Sequence, residues 1–162
     1  MNRLKGSNAL AYAAGIVDGE GSICFTSPKG GNYPYHGLRV SVTNTNEWLI
    51  NWFWFSFGGK IYIKPAHRGR KVCYQWQIWG KSALDFLKVI VPFLQIKRPQ
   101  AELAIAFQER KEARLRKPRQ IGSWRFRRTE EEQALDEVDA MLMAKYNHRG
   151  VDQEKVSNNQ GG

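Results

Sequence analysis

An α+β fold built on one four-stranded antiparallel sheet is predicted by three features of the sequence. Residues 22–28, 38–43, 60–65 and 71–79 alternate apolar with polar side chains, the period of half-buried strands. The runs 8–18, 45–57, 82–91 and 99–110 carry apolar residues at helical spacing. The two kinds interleave as helix, strand, strand, helix, strand, strand, helix, with a further helix to follow. A chain of 162 residues suits one domain with its own core. That domain is expected over 1–146, with the polar stretch 147–162 as a disordered tail.

The first helix begins where Ser7 or Asn8 can cap it and places Ala11, Gly15 and Gly19 on one stripe, four residues apart. Such a stripe either lets a second backbone approach closely or packs the helix on its own core. The first strand sets Ile23 and Phe25 against Cys24 and Thr26. The second sets Leu38, Val40 and Val42 against Arg39, Ser41 and Thr43. In the second helix Trp48, Trp52 and Phe55 share a face, which is expected to be buried, and Gly58-Gly59 ends it. The third strand turns Ile61 and Ile63 inward and Lys60, Tyr62 and Lys64 outward. After a basic turn with Arg68 and Arg70, the fourth sets Val72, Tyr74, Trp76 and Ile78 against Lys71, Cys73, Gln75 and Gln77. Ser82 with Asp85 reads as the cap of the next helix, and Pro99 suits the first turn of another. Thr129 with Glu132 forms a capping box for the last.

The formal net charge is +10, a balance that favours polyanions. There is no long apolar run and no signal-peptide pattern, so a cytoplasmic setting without membrane contact is expected. Cys24 and Cys73 are too few for a disulfide framework and form no zinc spacing with the histidines. The charge has a definite place. The outward strand positions include Arg39, Lys60, Lys64 and Lys71 and no acid. Lys29, Arg68 and Arg70 add to it from the turns. A plain solvated face would mix both signs. Lysine and arginine neutralise phosphates, while arginine and glutamine read base edges in a major groove. Thr26, Lys29, Arg39, Ser41, Thr43, Lys60, Tyr62, Lys64, Arg68, Arg70, Lys71, Gln75 and Gln77 are therefore the expected contacts to double-stranded DNA.

Two acids, Asp18 and Glu20, stand at the end of the first helix, where the helix dipole disfavours anions. A divalent cation is one partner that resolves the conflict. The setting of these acids, AAGIVDGEG at 13–21, resembles the LAGLIDADG motif, with alanine for its first leucine and glutamate for its second aspartate. The strand and helix order after it, Val42-Thr43-Asn44, and PFLQIK at 92–97 are also similar to single-motif LAGLIDADG homing endonucleases. The likeness extends to compact enzymes encoded within archaeal ribosomal-RNA introns. It covers roughly residues 8–110.

This resemblance implies an αββαββα core whose sheet forms a saddle in the major groove. It implies a homodimer joined through the motif helix, with Ala11 and Gly15 at the contact, acting on a long pseudo-palindromic site. Glu20 and the Gly19 carbonyl match metal ligands for Mg2+ (or Mn2+), and Asp18 matches a structural acid. Asn44 matches a residue ordering active-site water, although it also reads as a helix cap with Glu47. Lys97 matches a basic residue beside the scissile phosphate, although it also reads as a plain backbone contact. The expected activity is metal-dependent hydrolysis of phosphodiesters in both strands. An RNA-splicing maturase, with the host intron RNA as partner, and a non-enzymatic DNA-binding regulator are the alternatives.

Overall fold

A computed structural model describes residues 6–27, 36–66, 69, 71–116 and 128–148. Along the chain these form α1 (Ser7–Glu20), β1 (Gly21–Thr26), β2 (Gly37–Asn44), α2 (Glu47–Phe57), β3 (Lys60–Lys64) and β4 (Cys73–Trp79). Then come α3 (Gly80–Ile90), a 3₁₀ turn (Val91–Phe93), α4 (Arg98–Leu115) and α5 (Glu130–Asn147). The expected tail beyond residue 148, Lys29, and the turn residues Arg68 and Arg70 lie outside the described residues.

The four strands make one antiparallel sheet in the order β1-β2-β4-β3. Cross-strand partners point to the same side of a sheet, so the register sorts every strand residue to a face. Ser22 pairs with Ser41, Ser41 with Gln77, and Gln77 with Lys60. Cys24 pairs with Arg39, Arg39 with Trp79, Thr43 with Gln75, Gln75 with Tyr62, and Cys73 with Lys64. All of these share one face. The other face carries Ile23, Leu38, Val40, Val42, Trp76 and Ile78, all buried, and packs against the helices. Lys71 and Val72 precede β4, and Val72 is 38% exposed rather than inward. Ile63 is 65% exposed because β3 is an edge strand with little helix above its far end.

The core face of α2 differs from the expected one. Leu49, Ile50 and Phe53 are buried, while Trp48 is 68% and Phe55 75% exposed. The segment EWLINWFWFSF is apolar nearly all the way round, so its own pattern does not choose a side. The choice falls to partners elsewhere: Phe53 packs on Trp76 with centroids 4.9 Å apart, and Phe57 on Phe86 at 4.8 Å. Trp52 is half-buried and meets Tyr12 of α1 edge-on at 5.1 Å. Gly59 must be glycine: its φ is +92°, and a Cβ there would lie 2.5 Å from the Gln77 carbonyl.

Helix starts were legible only in part. Thr129 and Glu132 make the expected reciprocal capping box on α5, and Pro99 sits in the first turn of α4. Helix α1 has Gly6, not Ser7 or Asn8, at its cap. Helix α3 begins at Gly80, whose φ of +54° turns the chain directly out of β4. Ser82 is therefore inside the helix, and Asp85 pairs with Lys81 at 2.8 Å instead of closing a box.

Candidate catalytic pocket and nucleic-acid face

Helix α1 presents opposite faces to different neighbours. Ala13, Ala14 and Val17 are fully buried in the core. Ala11, Gly15 and Gly19 face outward, and a Cβ built on either glycine would meet nothing within 4 Å. The helix thus packs on its own domain with one face and leaves the small-residue stripe open.

At the C-terminal end of α1 the two acids part company. Asp18 is buried, and its carboxylate accepts the backbone N–H groups of Gln95 and Lys97, both at 2.8 Å. Lys97 answers in kind. Its side chain is buried, and Nζ donates to the carbonyls of Val17 at 2.9 Å and Asp18 at 2.5 Å. Each residue's side chain therefore holds the other's backbone, and a cation sits where the last carbonyls of α1 concentrate negative charge. The chain then turns straight into β1 because Gly21 lacks a Cβ, which would lie 2.6 Å from the Val17 carbonyl oxygen.

Glu20 is exposed and makes no ion pair or side-chain hydrogen bond among the described residues. It lines a pocket of about 300 Å³ together with Gly19, Gly21, Ser22, Lys97, Gln100, Tyr146 and Asn147. Among the described residues Glu20 is the one carboxylate in that lining, and Lys97 the one cation. Ser22 belongs both to the pocket and to the polar face of the sheet, so the pocket opens at the edge of that face. One carboxylate, a helix-end carbonyl and an open mouth suit a hard cation that keeps most of its waters, such as Mg2+. Among the described residues no group of three or more His, Cys, Asp or Glu stands ready to cage a metal outright.

Of the residues expected at the site, Glu20, Gly19 and Lys97 come together. Asn44 ends β2 at the same end of the sheet but is not in the pocket lining. Its Oδ1 accepts the Asn46 N–H at 2.8 Å, while Asn46 itself caps α2 through Leu49. The polar face holds Thr26, Arg39, Ser41, Thr43, Lys60, Tyr62, Lys64, Gln75 and Gln77, as the alternation requires. Lys71 is exposed but lies just outside the strand. Arg39 reaches Cys24 Sγ with Nη2 at 3.4 Å, and its buried Nε has no partner.

Two residues of this face were missed, Ser22 and Trp79, although carrying the alternation one step further finds both. Gln100, Tyr146 and Asn147 were also missed. They come from helices distant in sequence, and no local pattern marks them. Among the described residues no helix is long and apolar enough to cross a membrane.

Comparison with protein-family profiles and with curated proteins gave no match. Comparison with solved structures gave several. The homing endonuclease I-CvuI, in complex with a DNA target in 2 mM Mg and with the DNA not cleaved, is 17% identical; the match covers 89% of this chain and 84% of that one, with a TM-score of 0.65. The archaeal intron-encoded homing endonuclease I-Vdi141I, complexed with DNA, is 14% identical over 89% of this chain and 87% of that one, with a TM-score of 0.66. The LAGLIDADG homing endonuclease I-SmaMI, bound to cleaved DNA, is 16% identical over 90% of this chain and 45% of that one, with a TM-score of 0.59. The chain has the LAGLIDADG homing-endonuclease fold.

Proposed function

We propose that this chain is a site-specific homing endonuclease, working as a homodimer with a divalent cation on double-stranded DNA. The observation that carries this reading is Glu20. Among the described residues it is an unpartnered carboxylate at a helix C-terminus, in a pocket that opens onto a sheet face whose strands carry no acid. Folding gains nothing from a negative charge there. The DNA complexes of the structural neighbours agree with it.

Arg39, Lys60 and Lys64 neutralise phosphates across the groove, while Gln75 and Gln77 offer donors and acceptors to base edges. Ser41, expected beside them, is only 4% exposed and is not an open contact in the single chain. Glu20 and the Gly19 carbonyl would hold the cation, Mg2+ or Mn2+, which when bound acidifies a water and neutralises charge on the phosphate. Lys97 adds a fixed positive charge beside it, held in place by two carbonyls before any substrate arrives. One chain supplies one such carboxylate, and a duplex has two strands to cut, so two copies related by a two-fold axis are needed.

The surface for that second copy is the open stripe of α1, with Tyr12 on the same helix left 47% exposed by a single chain. Gly15→Leu tests this surface. It should leave the monomer folded, and more helix-favoured by about 1 kcal/mol, because its Cβ meets open space. It should abolish the dimer. Sedimentation would show a dimeric wild type and a monomeric variant, and a variant that stays dimeric would remove α1 from the contact.

The activity itself is tested by incubating the purified chain with a randomised DNA library and Mg2+, then sequencing the ends produced. Discrete ends that disappear on adding EDTA are expected. Metal-independent binding without a cut would instead favour a DNA-binding regulator.

A further inference from the structure

The far wall of the pocket is the end of α5. Tyr146 and Asn147 line it together with Glu20, although they lie more than a hundred residues away in sequence. Their placement is secured at three points. Gln100, buried, donates Nε2 to the Tyr146 carbonyl at 3.2 Å. Asn147 donates Nδ2 to the Ile23 carbonyl of β1 at 2.9 Å. Further back, Asp136 and Asp139, both buried, bind Arg114 at 3.1 Å, Arg128 at 2.9 Å and Arg110, so α5 is clamped along α4.

Two helix C-termini, of α1 and α5, therefore meet at one pocket, and both bring negative potential to it. The donors in the lining are mostly committed. Lys97 holds two carbonyls of α1, and Gln100 and Asn147 each use an amide N–H on a backbone carbonyl. The hydroxyls of Ser22 and Tyr146 have no hydrogen-bond partner among the described residues. Tyr146, a lining residue, is 43% exposed.

We propose that Tyr146 is a substrate-binding residue of this pocket, its phenol donating a hydrogen bond to a non-bridging oxygen of the scissile phosphodiester. Gln100 is the positioning residue that holds it there. The inference rests on the endonuclease reading. A neutral donor suits the place: it meets the phosphate without competing with the cation for Glu20.

Tyr146→Phe should slow single-turnover cleavage by about 10- to 100-fold, while DNA affinity measured in Ca2+ falls by no more than about fivefold, the loss of one hydrogen bond among many, and the melting temperature is unchanged. Gln100→Met should slow it in the same direction, and the double variant should be no slower than Tyr146→Phe alone. A second readout is independent of cutting. Mn2+ titrated into the full chain should broaden the NMR signals of the Tyr146 ring and the Asn147 and Gln100 amides, and Glu20→Gln should prevent this. Wild-type rates in Tyr146→Phe would overturn the role of the phenol. Sharp α5 signals at saturating Mn2+ would overturn the placement of α5 at the cation site. A wild type that never cuts, whatever the Mn2+ result, overturns the endonuclease reading and the Tyr146 role with it.

Discussion

Glu20→Gln is expected to lower the rate of DNA cleavage by a factor on the order of 10³ or more, while the protein folds normally and still binds DNA. The change keeps the size of the side chain and one of its two oxygens, removes the charge and turns the other oxygen into an NH₂ donor that cannot ligate a cation. Among the described residues Glu20 is the single carboxylate of the pocket lining, so none of them can take over its role there. The effect on stability has the opposite sign. An exposed anion in the last turn of a helix is unfavourable by a few tenths to about 1 kcal/mol, so the variant should melt at the same temperature or slightly higher. DNA affinity in Ca2+ should hold or rise, since a negative charge facing the phosphates is gone. A gel assay of nicked and linear products, run beside a thermal melt, reads all of this. Cleavage at the wild-type rate would remove Glu20 from the chemistry.

Asp18→Asn, two residues earlier, should do the reverse to stability. The Asp18 carboxylate accepts two backbone N–H groups, from Gln95 and Lys97, in a buried setting. An asparagine offers one oxygen and one NH₂, so one of those N–H groups would face a donor. Losing a charge-assisted bond and stranding a buried donor costs about 2–4 kcal/mol. Urea unfolding should show a lower midpoint with an unchanged slope. Cleavage should fall as well, because the turn held by Asp18 is the one that carries Lys97 into the pocket. A midpoint equal to that of the wild type would contradict the latch between α1 and α4. Similar acids at adjacent alternate positions thus separate cleanly: one variant spares the fold and loses the chemistry, the other loses both.

What could be read from the sequence was what depends on neighbours a few residues apart. Strand alternation is such a property, and it sorts Arg39, Ser41, Gln75 and Gln77 to one face, as the strand register does. So is a capping box, and Thr129 with Glu132 behaved as expected. The buried side of α2 was not legible, since Trp48 and Phe53 are equally apolar and the decision rests with Trp76 and Phe86 in other elements. The start of α3 was missed because Gly80 turns the chain two residues before the serine that looked like a cap. At the pocket, Glu20, Gly19 and Lys97 were expected from the motifs they resemble, and all three line it. Tyr146 and Asn147 were not, because their nearness to Glu20 is produced by arginine–aspartate clamps between helices that no local spacing records.

The strict division of labour along the strands also bears on inheritance. At odd positions of β2, such as Arg39, Ser41 and Thr43, a substitution alters the open face; at even ones, such as Leu38, Val40 and Val42, it alters the core. Changes at the more accessible positions of that face usually move stability by no more than about 0.5 kcal/mol, whereas Ser41, only 4% exposed, tolerates less. A lineage carrying this sheet can drift toward a new recognition sequence by small, individually harmless steps, with the scaffold held constant by the residues in between.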